Sequence, residues 1–231
     1  MLTLIVFSLL KKCMSPNLIS LFFKTATHLK AFISKVLIRF SIKLILFLPI
    51  ISLSQNSRLD YNVMFSGHNI GWLRLEKNDV GNKSDLLLVS EIKTRLLFPI
   101  RIFSKETSTY ENGKLIYSSQ FRKTNGKTNL NKEIRFVENE YEIVENDKKT
   151  KLSCPKIDSN LLSLFFQEPK NSKEVYCDNQ QSFIKVSKAD DGGYQMKFPN
   201  GNYNCYYYKE GICVKVKMQH KFYIAEIIIK Y

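Results

Sequence analysis

The segment Tyr61–Lys77, "YNVMFSGHNIGWLRLEK", decides the fold, because apolar side chains recur at every second position on both sides of a short polar break. A glycine loop that binds phosphate is followed by a helix, whose N-terminal amides meet the anion. Here a second alternating run follows instead. The segment therefore predicts a β-hairpin, in which Gly67 adopts a positive φ angle and Gly71 lies where a side chain would crowd a neighbour.

The same alternation continues to the C-terminus, with turn residues about every 8–12 positions. Asn112-Gly113 and Asn125-Gly126 lie between alternating runs, and Asn-Gly is the dipeptide that type I′ hairpins favour. About twelve strands with short connections are typical of an antiparallel meander. We therefore expect an all-β fold, a long antiparallel meander that forms a strongly curved sheet or an open barrel.

One segment departs from this pattern. Asp158 or Ser159 can cap Asn160–Gln167, "NLLSLFFQ", whose apolar residues would form one face of a helix. Glu168-Pro169 would end it, because the residue before proline is disfavoured in the α conformation. The sequence thus predicts one short helix, at about 158–167, packed on the sheet.

The first 54 residues resemble a leader that precedes a single all-β domain, residues 55–231. A basic stretch at 35–43 and an apolar stretch at 44–51 come before Ser52-Leu53-Ser54, a small-x-small pattern. These are the parts of a signal peptide, so we expect cleavage before Gln55 and export to the periplasm or cell envelope. The alternative is a membrane anchor over residues 36–53. A start codon assigned too early would explain the long segment before the basic stretch.

Charge argues against nucleic acid as a partner. The formal net charge is +14, but seven basic residues and no acidic ones fall in residues 1–54. Half of the excess therefore belongs to the leader, and the remaining lysines are interspersed with acidic residues, as on a solvated surface. Export would also remove nucleic acid from reach.

Four cysteines follow the leader: Cys154, Cys177, Cys205 and Cys213. In an oxidising compartment an even number suggests two disulfides. We expect local pairing, because Cys205 and Cys213 lie on either side of a tight turn and Cys154 and Cys177 lie on either side of the predicted helix. Buried free thiols are an equally good alternative, because a domain of this size needs no cross-links. There is no C-x-x-C pair, so neither a zinc site nor another metal or cofactor is expected.

Catalytic motifs are also missing from the sequence. It contains no G-x-S-x-G, no H-E-x-x-H and no Walker loop. After the leader only His68 and His220 remain, and both fall in turns, where a surface histidine is the usual outcome. A hydrolase would need one of them in a cleft beside a carboxylate and a hydroxyl or thiol. We therefore do not expect an enzyme.

The leading hypothesis is a protein that holds an apolar or amphipathic ligand, such as a lipid, in its curved sheet. The side chains expected to contact the ligand are Trp72, Phe103, Phe121, Leu161, Leu164 and Phe165. The alternative is a structural or protein-interaction module with a filled core, whose partner is another envelope protein. In either case membrane contact would come through the leader only if it is not cleaved.

Several segments, in this order, resemble a family of small exported Bacteroidota proteins that is described only as a domain of unknown function. They are "SLSQ", "YNVMFSGHNIGWLRLEK", "LLSLFFQEP", "FPNGNYNCYYYKEGI" and the closing strand. The resemblance covers Tyr61 to Tyr231. It implies a β-rich exported domain and supplies no activity, substrate or catalytic residue.

Overall fold

In the part of the chain that the structure describes, fourteen antiparallel strands form one sheet. The structure is a computed structural model that describes residues 55–95 and 98–231. The strands are β1 (Gln55–Phe65), β2 (His68–Val80), β3 (Lys83–Arg95), β4 (Pro99–Glu111), β5 (Lys114–Thr124), β6 (Lys127–Val137), β7 (Glu140–Glu145), β8 (Lys148–Leu152), β9 (Glu174–Cys177), β10 (Ser182–Lys188), β11 (Tyr194–Lys197), β12 (Tyr203–Lys209), β13 (Ile212–Gln219) and β14 (Ile224–Ile229).

The first hairpin has the predicted turn. Gly67 has a φ angle of 79°, and Asn112 and Asn125 also have positive φ angles, at 50° and 49°. Gly71 has a different role, because a Cβ atom there would collide with the carbonyl oxygen of Glu91 in β3. Both glycine predictions are thus confirmed: one glycine provides a backbone conformation, and the other permits a close approach between strands.

The order of the strands in the sheet is β8-β7-β6-β5-β4-β3-β2-β1-β14-β13-β12-β11-β10-β9. Every hairpin therefore pairs neighbours in sequence, as predicted, and one pairing is not local. This is β1 with β14, in which Tyr61 is opposite Ile229 and Phe65 is opposite Ala225. The first and last strands lie in the middle of the sheet, and the two edges, β8 and β9, are consecutive in the chain. The sheet is not closed by hydrogen bonds between those edges.

The expected fold class, an all-β antiparallel meander, is confirmed. One strand that the sequence analysis did not identify is β8, "KKTKL", a lysine-rich stretch at an edge. Lysines on an edge strand discourage another chain from pairing with it, and they also weaken the apolar alternation by which a strand is recognised.

The sheet wraps around so that one face, here called the core face, packs against itself. The Tyr61 hydroxyl in β1 donates a hydrogen bond of 2.6 Å to the carbonyl of Cys213 in β13. The ring of Phe165 lies edge-on between Tyr61 and Tyr206, with centroid distances of 5.5 and 6.0 Å. Aromatic edge contacts of this kind add about 0.5–1.5 kcal/mol each to the burial of their surface. Side chains from both halves of the meander therefore share one core.

The segment between β8 and β9 runs across the core face. Leu115 of β5 donates its amide to the carbonyl of Ile157 at 2.8 Å, and Tyr176 of β9 donates to Ser159 at 3.0 Å. The prediction of a helix at about 158–167 is wrong, because this stretch contains only a 3₁₀ turn, Ser163–Phe165. It does pack inside the sheet, as expected of the helix.

The sequence of that turn explains the difference. The amide of Asn160 is bonded to the Ser163 hydroxyl, and the Asn160 side-chain oxygen accepts from the Ser163 amide, both at 3.1 Å. This pair of bonds closes a tight turn locally. Proline at 169 leaves too little chain for a stable helix, since isolated helices shorter than about 12–15 residues are marginal.

The predicted leader and the alternative anchor at 36–53 lie outside the described residues. Across 55–95 and 98–231, none of the helical structure has the length and apolar character required to cross a bilayer.

Candidate functional site

An apolar cavity of about 340 Å³ lies against the core face at one end of the sheet. Alternation brings its walls together, because Val63, Ile92 and Ile102 each occupy core-face positions on adjoining parts of the meander. The turn between β13 and β14 lies over it. The lining residues are Val63, Phe65, Ile70, Ile92, Thr94, Ile100, Ile102, Met218, Phe222, Tyr223 and Ala225.

The turn beside the cavity is ordered by its own contacts. The His220 ring stacks on Tyr223, with centroids 4.6 Å apart and planes 8° apart. Tyr223 also meets Phe65 of β1 edge-on at 6.2 Å. The amide of His220 donates to the carbonyl of Tyr223 at 2.9 Å, which closes the turn. Two aromatic contacts therefore hold this side of the cavity in place.

The core face becomes polar one row further into the sheet. The pair Ile92 and Ile102 on the cavity wall is followed by Ser90 opposite Ser104, and Ser104 is opposite Arg122. Arg122 donates to the Ser104 hydroxyl at 3.4 Å, and a guanidinium nitrogen lies 4.0 Å from the carboxylate of Glu106. The apolar cavity thus borders a row that can donate and accept hydrogen bonds.

A buried polar cluster lies beyond that row, around Asp178. Its carboxylate accepts from the Ser118 hydroxyl at 2.6 Å and from the Asn160 amide group at 3.0 Å. The same Asn160 nitrogen donates to the Ser108 hydroxyl at 2.8 Å. The ammonium of Lys132, only 4 % exposed, lies 3.3 Å from the carboxylate of Glu145. Buried polar groups need such partners, because an unpaired one costs about 1–3 kcal/mol.

Burial dominates the electrostatics of this cluster. Removal from water raises the pKa of Asp178, and the bonds from Ser118 and Asn160 oppose that rise. Burial also raises the pKa of Glu106, and the nearby Asp178 raises it further. Both carboxyl groups belong to the interior network, and neither lines the cavity.

The structure separates the six predicted contact residues into two groups. Glu91 of β3 is paired with Trp72 of β2 on one side and with Phe103 of β4 on the other. Phe121 of β5 is paired with Lys105 of β4. These three aromatics occupy the outer face, since their strand neighbours Leu73, Ser104 and Gln120 are buried on the core face.

The other three predicted residues do lie inside the sheet. Leu164 and Phe165 are buried in the core, and Leu161 packs against it. The structure therefore does not bring the six residues together, and none of them lines the apolar cavity. Leu164 and Phe165 fill space in the core.

The cavity residues were missed because they are ordinary strand residues. Ile100 and Ile102 alternate with arginine and phenylalanine and look like half of any strand. The one available signal was the run Phe222-Tyr223-Ile224, which places three large apolar residues at a turn, where polar residues are usual.

All four cysteines are free thiols, three of them buried and Cys154 half-buried. The expected local pair is not formed, because Cys213 lies in the core whereas Cys205 points to the other face from its core neighbour Tyr206. Cys205 is also opposite Lys217, and Cys213 is opposite Tyr208. The alternative of buried free thiols describes the structure. Burial raises the pKa of the Cys213 thiol to about 12.

Neither histidine has the setting of a catalytic base. His68 is exposed in the first hairpin turn, and His220 is stacked between the aromatic residues of its own turn. Within the described ranges no group of three or more His, Cys, Asp or Glu is placed to hold a metal ion.

Comparison with known proteins gives a family and nothing finer. No curated protein and no solved structure matched the chain. A family model matches residues 61–230, which is nearly all of the sheet. The chain therefore belongs to the family described as "Domain of unknown function (DUF6134)".

Proposed function

We propose that this chain is an exported, non-enzymatic protein of the periplasm or cell envelope that holds the hydrocarbon chain of an amphiphile in its apolar cavity. The observation that carries the proposal is the cavity of about 340 Å³ whose lining is almost wholly apolar. Small-molecule sites are concave and mostly apolar, and about 300–1,000 Å³ in volume. This cavity is at the small end of that range, so a single hydrocarbon chain fits it better than a whole two-chain lipid.

Two features favour binding over catalysis. Three ionisable groups of the core face are each paired: Glu106 with Arg122, Lys132 with Glu145, and Asp178 with Ser118. None of the three lines the cavity. Burial raises the pKa of the Cys177 and Cys213 thiols, and a raised pKa disfavours the reactive thiolate. A polar row next to apolar walls suits an amphiphile.

The ligand proposal is tested with 11-(dansylamino)undecanoic acid, whose fluorescence rises on entering an apolar site. We expect saturable binding to the full chain. The double variant Ile92→Phe/Ile102→Phe fills the cavity from a cross-strand pair on the adjacent strands β3 and β4 and should abolish most of that binding. Overpacking typically costs about 1–3 kcal/mol of stability, so a melting curve must accompany the measurement.

The matched control is Leu87→Phe, a substitution of the same kind on the outer face of β3. Leu87 lies between the core-face residues Leu86 and Leu88, so the control should bind the probe like the wild type. Apolar residues of the leader are present in every variant and cannot explain a difference. Equal probe binding by the filled variant and the wild type would contradict the proposal, as would no uptake by any of them.

Export is a separate part of the proposal, and the signal-peptide pattern before Gln55 supports it. The test is to express the full chain in a bacterium, fractionate the cells and measure the intact mass. We expect a periplasmic product that begins at Gln55. A product that retains residues 36–53 would favour the anchor, and a cytoplasmic product would contradict export.

The alternative function is a protein-interaction module with a filled core. Exposed Phe98 and Phe222, at 76 % and 81 % exposure, favour an interaction surface.

A further inference from the structure

Large apolar side chains are exposed at one end of the sheet. Phe98 and Phe222 are 76 % and 81 % exposed, and Tyr223 and Ile224 are each nearly half exposed. We call this set of four residues the tip. Phe98 precedes β4, and the other three lie at the turn between β13 and β14. Both turns are at the same end, because Thr94 and Ile100 flank one of them and line the cavity together with Phe222 and Tyr223.

The exposed aromatics are held outward by a folded turn. Tyr223 is stacked on His220 and packed on Phe65, so the turn that carries Phe222 is held by contacts of the residues on both sides of it. Exposed apolar patches on a soluble surface mark interaction sites.

The tip is surrounded by positive charge. Three of the turns at this end surround the tip, and with their flanks at 64–69, 93–101 and 218–225 they contain Lys93, Arg95, Arg101 and Lys221 and no Asp or Glu. The adjoining Glu226 is paired with Lys215 at 2.6 Å. Glu91, further down β3, partly compensates, because it lies 2.6 Å from Arg101 and 3.5 Å from Lys93. Turns elsewhere are different: Asp79, Glu138 and Glu210 lie next to turns at the opposite end, and Asp147 lies in the β7–β8 turn, at the same end but further along the sheet from the tip.

We propose that the tip docks on a lipid bilayer that contains anionic lipid, with Phe98 and Phe222 entering the interface. Aromatic residues with neighbouring Lys and Arg are the combination that binds membrane interfaces, and each basic residue near an anionic surface contributes about 1 kcal/mol. A second copy of this chain fits less well, because two basic tips would repel each other. Docking goes beyond the proposed ligand binding and does not require that the cavity be occupied.

The chain has one tryptophan, Trp72, which makes a local reporter available. In a Trp72→Phe background, Phe222→Trp places a single tryptophan at the tip. Vesicles of phosphatidylglycerol and phosphatidylcholine should shift its emission to shorter wavelength, and brominated acyl chains should quench it. The control is Val137→Trp in the same background, at an exposed position at the other end of the sheet, which should not be quenched.

Charge dependence completes the experiment. Replacing Arg95 or Lys221 by Gln should weaken vesicle partitioning roughly fivefold for each residue, and pure phosphatidylcholine should bind weakly. The leader contains no tryptophan, so it cannot produce the signal at position 222. Equal quenching at positions 222 and 137, or no quenching at 222, would overturn the proposal. A blue shift that depends on protein concentration without lipid would instead assign the tip to protein contact. Probe uptake by the cavity is measured separately, so the two proposals fail independently.

Discussion

The carboxylate of Asp178 accepts a hydrogen bond of 2.6 Å from the hydroxyl of Ser118, 60 residues earlier in the chain. Ser118 lies in β5, the fourth strand in sheet order, and Asp178 follows β9, the fourteenth. No strand pairing connects these two regions. A buried side-chain network therefore joins one edge region of the sheet to the middle of its other half.

Removing the Ser118 hydroxyl should be costly. Ser118→Ala leaves a buried carboxylate oxygen without its shortest bond, and such a loss costs about 1–3 kcal/mol. Urea denaturation followed by circular dichroism measures the free energy of unfolding. The control is Ser119→Ala, where the hydroxyl lies 2.7 Å from that of Thr107, on the other face of the same strand. If both variants lost the same free energy of unfolding, the hydrogen bond from Ser118 to Asp178 would contribute no more than the one between Ser119 and Thr107, and the prediction would be wrong.

The carboxyl group of Glu106, which is half-buried, should affect how stability depends on pH. Its pKa is raised above the ordinary 4.5 in the folded protein, first by burial and then by Asp178. The folded state therefore binds more protons than the unfolded state between the two pKa values, so this group's contribution to stability falls as pH rises through that window. Glu106→Gln removes the ionisation, and the stability of the variant relative to the wild type should increase with pH from about 4.5 upward.

Unfolding curves at a series of pH values measure this difference. The control is Glu111→Gln, at the exposed end of the same strand, which should leave the wild-type pH profile in place. A constant difference between Glu106→Gln and the wild type at every pH would contradict the prediction.

Two glycine-to-alanine substitutions in the first hairpin should lower the stability of the protein by different amounts. Gly67→Ala has free space around the new Cβ but a φ angle of 79°, which costs about 1–2 kcal/mol for a residue other than glycine. Gly71→Ala drives a Cβ into the backbone of Glu91 and Ile92, so we expect a loss of about 3 kcal/mol or more. Thermal melting of the two variants gives the comparison, and a larger loss for Gly67→Ala would contradict the close approach of β2 and β3.

The thiols should react according to their burial. Differential alkylation of the native protein, read by peptide mass spectrometry, should label Cys154 before Cys177, Cys205 and Cys213, because Cys154 alone of the four is half-buried. All four should alkylate after denaturation without a reducing agent. A peptide pair linked through Cys205 and Cys213 would show that the free thiols are not the state of the purified protein.

Local sequence predicted the hairpins, because a turn such as Asn112-Gly113 and the runs beside it carry all the information that the hairpin needs. The pairing of β1 with β14 carries no such local signal, since Ile224–Ile229 is an apolar run that would fit beside any strand. The 3₁₀ turn has a local signal in Asn160 and Ser163, but its place on the core face depends on the bonds of Asn160 to Ser108 and Asp178, which come from distant parts of the chain.

Strand parity would have assigned three of the predicted ligand contacts to the outer face of the sheet. Trp72 precedes Leu73 in a run whose leucines are buried, so the two side chains point to opposite faces. The hypothesis weighted aromatic size over that alternation and selected Trp72, Phe103 and Phe121 from the outer face. The cavity was instead built from isoleucines and from the turn at Phe222, and only the three-dimensional curvature of the sheet brings these together.

The position of β1 beside β14 has a consequence for assembly during synthesis. Of the fourteen strands β1 leaves the ribosome first, and the strand that covers its second side, Ile224–Ile229, emerges last. Until then the backbone of Tyr61–Phe65 is open along that side, a ready template for intermolecular pairing. Premature termination before residue 224 would leave this gap permanently, so truncated products should be the ones that aggregate or require a chaperone.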